Sequence, residues 1–338
     1  MSVVSAVGGV SELRYVTLGV RDLPASIAFY RRAFGYQVLH RADDDGDDTA
    51  ALWGLAGPCP AQVAVLGPAG ATSGLLRLYG WAAPGPPART GADRRDHGHY
   101  AVNLRVDRID EVRQRVQADS ELVLSAPRKW SITPEITVWD SLSHDPDGTV
   151  LDVFEIVEDR TGFTGAATGP HRVQTIAVHV PDADAATTFY TRLGLRVWFD
   201  RTIDGMADFF HVPGGVRLRD VNLYAPGSGD AGRVEIVQYV GLTGRCTDTA
   251  PPRTGITSIS FEVDDLAAAG TTLCGAGGRP VADEVSVNLP VYGPARSRLF
   301  VGTGGEAIEL FQRADDDGGA GIGLGVDGTA TGQVGGRP

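Results

Sequence analysis

The chain is poor in the residues that mark several common functional classes. It has 3 cysteines in 338 residues, Cys59, Cys246 and Cys274, which cannot all pair and show no metal-ligand spacing. Each reads as a small buried hydrophobe, and a reducing cytoplasm is the expected setting. Lysine is almost absent: Lys129 stands alone, and the net charge is −12. That balance argues against nucleic acid or an anionic membrane as partner. No apolar run approaches the length of a membrane span. The first residues, Met1 to Val7, lack the basic region of a signal peptide. No phosphate-cradling glycine loop, nucleophile elbow or HExxH pattern is present.

What the chain does have is one short phrase written four times. The copies are Tyr15-Val-Thr-Leu-Gly-Val-Arg-Asp22, Ala101-Val-Asn-Leu-Arg-Val-Asp-Arg108, Thr175-Ile-Ala-Val-His-Val-Pro-Asp182 and Ser258-Ile-Ser-Phe-Glu-Val-Asp-Asp265. Each alternates and is rich in β-branched residues, so each predicts a strand with one buried face. A helical pattern follows each copy. Two of the helices carry the same aromatic pair, Phe29-Tyr30 and Phe189-Tyr190, followed by Arg and then Gly. Such self-similarity means duplication, so equivalent positions can be compared within the one chain.

The repeat divides the chain into modules at about 13–81, 99–157, 171–241 and 255–313. In the first, strands are expected at Leu13–Val20, Tyr36–His40, Ala50–Leu55, Gln62–Leu66 and Gly74–Trp81, with a helix that Gly35 ends. Asp145-Pro-Asp-Gly148 is a turn signal, with Pro setting φ and Gly supplying the permissive corner. Consecutive modules are expected to pair, giving a first domain over 1–157, a linker at 158–170 and a second domain over 171–313. The Gly-rich segment 314–338 has too little apolar surface to order itself.

With its four strand phrases, its Asp22-Leu23…Phe29-Tyr30…Phe34-Gly35 helix and its Asp145–Gly148 hairpin, the chain resembles the vicinal-oxygen-chelate superfamily of glyoxalases, extradiol dioxygenases and bleomycin-binding resistance proteins. The resemblance implies an α+β fold of four βαβββ modules paired into two half-barrels, each wrapping a pocket. It also implies a divalent metal in such a pocket, held by one ligand on the first strand and one on the last strand of each module.

At those positions the first domain holds Tyr15, Arg77, Ala101 and Asp152, and the second holds Thr175, Glu235, Ser258 and Glu309. A fixed cation, Arg77, repels a divalent ion, so no metal is expected in the first domain. There Arg77, Tyr15 and Asp152 either bind a substrate oxygen or pair among themselves. In the second domain Glu235 and Glu309 are expected to face each other across one pocket, as an acid–base pair or as ligands of a hard ion such as Mg²⁺. Thr175 and Ser258 would line that pocket. His179 shares the face of Thr175, with a solvent-facing strand end as the plainer reading. His211, on an expected strand, is a further acid–base candidate. His99, two residues before Ala101, either shares that strand face and reaches the pocket rim or is loop sequence with His97, and His144 reads as a surface or turn residue. Trp53, Trp130, Trp139, Trp198, Phe209 and Phe210 are either core or the walls of a pocket for a flat ligand.

Two functions fit these residues. One is an isomerase, lyase or cyclase that moves a proton on a small oxygenated metabolite. The other is a protein that sequesters a hydrophobic or antibiotic-like compound. The absence of histidine at every ligand position disfavours dioxygen chemistry. Cofactors are either none or a divalent ion. A small molecule is the expected partner, and a homodimer is compatible with the family. The Gly-, Ala- and Arg-rich composition fits a GC-rich coding sequence and a setting in natural-product metabolism.

Overall fold

A computed structural model describes residues 9–89, 94–117, 125–162 and 168–314 of the chain. The region at 314–338 lies, apart from Ala314, outside the described residues, as does part of the segment at 158–170. Each repeated phrase forms the first strand of a module. The first module runs β1 (Tyr15–Val20), α1 (Leu23–Phe34), β2 (Gln37–Asp44), α2 (Asp47–Trp53), β3 (Ala61–Gly67) and β4 (Leu75–Trp81). The second runs β5 (Gly98–Arg105), α3 (Ile109–Gln117), β6 (Arg128–Thr133), β7 (Ile136–His144) and β8 (Val150–Asp159). The third runs β9 (Thr175–His179), α4 (Ala183–Leu193), β10 (Arg196–Ile203), β11 (Leu218–Tyr224) and β12 (Arg233–Tyr239). The fourth runs β13 (Gly255–Glu262), α5 (Leu266–Gly275), β14 (Arg279–Pro280), β15 (Val285–Leu289), β16 (Gly293–Val301) and β17 (Ala307–Arg313).

Local chemistry repeats with the phrase. Asp22, Asp182 and Asp265 cap the helices that follow them, each accepting a backbone N–H in the first turn. Gly35 and Gly194 end α1 and α4 at φ of 71° and 118°, values that a Cβ disfavours. Val106, Val180 and Val263 each donate a backbone N–H to the last strand of their own module, to Phe154, Val237 and Phe311. Val20, the fourth of the repeated valines, lies opposite Gly80 on β4 and is buried in the same core.

The modules do not close in chain order. One curled sheet runs β14-β16-β17-β13-β1-β4-β3-β2 and joins the first module to the fourth. The other runs β10-β11-β12-β9-β5-β8-β7-β6 and joins the second to the third. Both seams are antiparallel pairings of first strands, β1 with β13 and β5 with β9. The expectation that Tyr15 and Arg77 share a half-barrel with Ala101 and Asp152, and Glu235 with Glu309, is therefore corrected. Each first strand has one edge taken by the last strand of its own module. The partner for its other edge is a matter of tertiary contact.

The helices pack differently from the sheets. α1 packs on α3 and α4 on α5, so helices associate in chain order while sheets do not. One apolar core holds the outer, helix-covered faces of both sheets and the helix faces that pack on them, including Val16, Phe29, Val102, Leu151, Val178, Phe189, Ile259 and Leu310. The repeated aromatic pair also reaches across modules. Tyr30 donates its hydroxyl to Asp145 Oδ2 at 2.9 Å, in the turn before β8. Tyr190 donates to Glu306 Oε1 at 3.0 Å, in the turn before β17. Burial pushes Asp145 up to about 6, with Asp147 adding to the rise, and burial pushes Glu306 up to about 7.

Two local expectations fail. Ala50–Leu55 is not a strand: Asp47–Trp53 is helical, because Thr49, Ala50 and Leu52 bury one face and Gly46 and Gly54 flank it. His211 is not on a strand either. Residues Met206–Val212 turn back on themselves through Phe210 N–H to Met206 O and Val212 N–H to Ala207 O, and His211 is exposed at φ 52°. Asp204-Gly205 and Pro213-Gly-Gly215 interrupt the ladder on either side.

Removing either tyrosine hydroxyl leaves a buried acid short of a donor. Tyr30→Phe and Tyr190→Phe should each cost about 1–3 kcal/mol in urea unfolding. The cost should be larger at pH 8 than at pH 5, because the lost hydrogen bond is stronger to the ionised acid. An equal cost at both pH values would show that the acids stay protonated throughout.

Candidate functional site

The two half-barrels use equivalent positions for opposite chemistry. In a parallel pair, residues in register on one face sit side by side. β4 sets Arg77 against Thr17, and the β13–β17 pair sets Glu309 against Ser260. In the other sheet Asp152 lies against Asn103, and Glu235 against Ala177. The inward residue of each first strand is thus two positions after Tyr15, Ala101, Thr175 and Ser258. The last-strand residues stand where the sequence pattern puts them. Their first-strand neighbours Thr17, Asn103, Ala177 and Ser260 escape sequence reading, because alternation places positions i and i+2 on one face and only pairing register chooses between them.

At the floor of the first half-barrel lies a buried ion pair. Arg77 Nη2 donates to Glu309 Oε2 at 2.5 Å, and Arg77 also donates to the hydroxyls of Thr17 and Ser260. Ser260 donates to Glu309 Oε2 at 2.5 Å and Ser297 to Oε1 at 2.9 Å. Arg77 therefore pairs with Glu309 and not with Asp152. Burial works to raise the Glu309 carboxyl, but Arg77 and these hydroxyls outweigh it and hold the group below the ordinary carboxylate range. Tyr15 is buried with its ring 4.6 Å from the Arg77 guanidinium carbon, and its hydroxyl donates to the Pro290 carbonyl. Arg77 Nη1 has no hydrogen-bond partner among the described residues. Above this floor is a cavity of about 490 Å³ whose walls include His40, Trp53, Tyr79, Trp81, Ser258 and Leu289.

The second half-barrel gathers carboxyls. Asp140 lies two residues before Leu142, the partner of Asp152, and Asp220 two residues before Asn222, the partner of Glu235. Asp140 hydrogen-bonds Asp152, and Asp220 hydrogen-bonds Glu235, so the repeat places one carboxyl pair in each module. Asn103 donates its amide to Glu235 at 2.5 Å, and Trp130 donates to Asp140 at 3.0 Å. One oxygen each of Asn103, Asp140, Asp152, Asp220 and Asn222 is buried without a donor. Protons are the simplest missing donors. Burial raises all of these acids. Asp152 is raised further by Asp140, Asp220 by Glu235, and Glu235 reaches about 7. Asp152 and Glu235 are half-buried, whereas Asp140 and Asp220 are sealed. Thr175 is buried on the same face, beside Asn103.

The remaining candidates lie elsewhere. Glu235 and Glu309 belong to different half-barrels and cannot share a substrate or an ion. His179 is buried, not at solvent: its ring stacks on Tyr100 at 3.9 Å and its Nδ1 lies 3.0 Å from the Arg94 carbonyl. Burial and the nearby Arg89 hold it well below the usual histidine range. His99 is a buried strand residue and not part of a loop.

A divalent ion does not fit the first half-barrel, where a guanidinium already bonds the carboxylate and hydroxyls. In the second, the oxygen donors are of the hard type, but among the described residues no three His, Cys, Asp or Glu side chains are placed to hold one ion. They associate in pairs instead.

The sequence profile of the Glyoxalase/Bleomycin resistance protein/Dioxygenase superfamily matches residues 12–164. No curated protein matches the chain. Among solved structures, glyoxalase I from Zea mays is similar over 89% of this chain and 92% of its own, at 15% identity and a TM-score of 0.58. A point mutant of the same enzyme aligns at 16% identity over 89% of this chain and 92% of its own, with a TM-score of 0.60. A protein described as a putative dioxygenase from Bacillus subtilis covers 90% of this chain and 86% of its own, at 12% identity and a TM-score of 0.53. At these identities the likeness is one of fold.

The raised carboxyls have a measurable consequence. A folded-state pKa above the unfolded value stabilises the fold below the unfolded pKa, and that stabilisation is lost as pH rises through the folded value. For Glu235 the window runs from about 4.5 to about 7. Unfolding free energy should therefore fall across that range, and Glu235→Gln should reduce the fall by up to about 3 kcal/mol. Urea titrations at pH 5 and pH 8 check this. An unchanged slope would mean that Glu235 titrates as an ordinary carboxyl.

Proposed function

We propose, from the match of the Glyoxalase/Bleomycin resistance protein/Dioxygenase superfamily profile to residues 12–164 and the likeness of fold to glyoxalase I, that the first half-barrel binds a small, oxygenated, aromatic-bearing molecule. The observation that carries this reading is Arg77. Its guanidinium replaces a metal as the cation of the site, anchored by Glu309, Thr17 and Ser260 while Nη1 keeps its bonding capacity. A carbonyl or carboxylate oxygen is the natural partner of that group. Trp53, Tyr79 and Trp81 supply flat apolar walls suited to a ring. Glu309 is ionised and bonded at both oxygens, so it serves as a counter-ion rather than a proton shuttle. These features favour recognition and sequestration in this half, which is the binding alternative raised by the sequence.

Benzoate and salicylate are suitable probes, followed through the fluorescence of Trp53 and Trp81. Arg77→Met alone would strand a buried carboxylate and cost about 3–5 kcal/mol. The double variant Arg77→Met/Glu309→Leu should keep its stability and lose tenfold or more in affinity for both probes. Undiminished binding by a folded double variant would remove Arg77 from recognition.

A second reading concerns proton transfer, and it rests on Glu235. Burial pushes its carboxyl up to about 7, and the group is half-buried and hydrogen-bonded to Asp220, a combination suited to exchanging a proton near neutrality. Isomerase- or lyase-type chemistry on an oxygenated metabolite would then belong to the second half-barrel. Acetoacetate and related 3-keto acids in D₂O, followed by proton NMR, report exchange at the carbon beside the carbonyl. Glu235→Gln should slow catalysed exchange on the order of 10²-fold. Equal exchange in both proteins would leave this half without an acid–base role.

A further inference from the structure

A second cavity, of about 460 Å³, shares no lining residue with the one above Arg77. It lies where the start of β5, the turn between β7 and β8, and the start of β13 meet the segment holding Pro87–Arg89. One backbone and one side-chain bond close that corner: Ala88 N–H donates to Thr254 O at 2.7 Å, and His99 Nε2 donates to Ala307 O at 3.0 Å.

Three side-chain atoms of this lining are buried without a partner: His99 Nδ1, His144 Nδ1 and Thr254 Oγ1. His99 and Thr254 are 1% and 0% exposed, so bulk water does not satisfy them. A buried polar group without a partner is costly, and three around one hollow point to an absent occupant. The hydrogen bond to Ala307 uses the Nε2 proton of His99, which leaves Nδ1 as an acceptor that needs a donor.

Two guanidiniums and one acid reach the cavity among the described residues. Arg94 and Arg89 line it, with Arg94 donating to Tyr100 OH at 2.6 Å and Arg89 to the carbonyls of His99 and Asp96 at 3.2 Å each. Asp147, the acid in the lining, faces other partners: it accepts from Arg21 N–H at 3.0 Å and from the Ser26 hydroxyl at 3.2 Å. Burial keeps His99 and His144 neutral, so neither adds charge. Pro87, Ala88, Val150 and Ile256 form apolar wall between these groups.

We propose that this seam cavity is a second ligand site, for a small organic carboxylate that also bears a hydroxyl group. The carboxylate meets the guanidinium of Arg94, with Arg89 adding positive potential. The hydroxyl donates to His99 Nδ1 and accepts from Thr254. The ligand gives the unpartnered atoms their partners, and the apolar wall takes its carbon skeleton.

3-Phenyllactate tests each feature against its own analogues, by calorimetric titration of the full chain. Its methyl ester lacks the charge, and 3-phenylpropionate lacks the hydroxyl. The acid should bind saturably and each analogue at least fivefold more weakly. Arg94→Gln should weaken binding about tenfold, the scale of a charge-assisted hydrogen bond. Thr254→Val removes an unsatisfied hydroxyl from the empty protein, so it should leave Tm unchanged or raised and yet weaken 3-phenyllactate severalfold. Addition of the acid should also shift the His99 Nδ1 resonance. Absence of saturable binding overturns the proposal, and so does equal affinity for acid and ester. Binding that survives Arg94→Gln but is lost in Arg77→Met/Glu309→Leu overturns it as well, by placing the probe in the first half-barrel.

Discussion

Every module leaves one edge of its first strand without a hydrogen-bond partner, and the architecture follows from how that edge is filled. A buried strand edge cannot stay unpaired, because each N–H and C=O removed from water needs a partner. β1 fills its edge with β13, and β5 with β9. Those two ladders turn four small units into two curled sheets, and they bring the last strands of different modules around each floor. The helices answer a different demand. Their apolar stripes must cover the outer faces of the sheets, and they do so as neighbours in the chain. Sheet pairing and helix pairing thus run along different partitions of the same sequence, and Tyr30 and Tyr190 stitch the two partitions together through buried acids.

Within this common frame the two floors have diverged to opposite electrostatic solutions. One is centred on a guanidinium held by a counter-ion and two hydroxyls, with Nη1 left to bond a ligand oxygen. The other collects acids that burial raises and that associate in pairs. The contrast arises at equivalent positions: Arg77 in the first module stands where Asp152, Glu235 and Glu309 stand in the others. A duplication that keeps the backbone and exchanges one residue for a cation changes what the pocket can hold. The floor with the cation favours an oxygen acceptor, and the acidic floor favours proton exchange near neutral pH. Division of labour between the halves is consistent with both readings of function, since each rests on a different floor.

Much of this is legible without coordinates. The repeated phrases, the Asp caps, Gly35 and Gly194, and the Asp145–Gly148 turn are local, and short-range sterics and hydrogen bonding are enough to read them. The last-strand residues are legible too, because the family resemblance implies one site position on the last strand of each module, held here by Arg77, Asp152, Glu235 and Glu309. Their first-strand partners fall two residues from where the pattern puts them, since an alternating strand offers the same face at i and i+2. The helix at Asp47–Trp53 resembles a strand in sequence because seven residues with Ala and Leu satisfy either period. His211 resembles a strand residue because Phe209 and Phe210 look like a β run, while the neighbouring glycines and proline dominate the backbone.

Pairing between modules is the part that sequence does not supply. Four nearly equivalent first strands offer several mutually compatible seams, and nothing within one strand says which other strand fills its free edge. That choice is made by loop lengths, helix contacts and the burial of a single shared core, all of which act between residues far apart in the chain. It decides that Arg77 meets Glu309, that Glu235 meets Asp220 and Asn103, and that His99 and Thr254 border one cavity. The chain alone determined which chemical groups exist and which face each could occupy, because propensity, capping and alternation are local. Only the tertiary structure decided which groups meet, because the free edges of equivalent strands are chemically alike and the global packing alone distinguishes them.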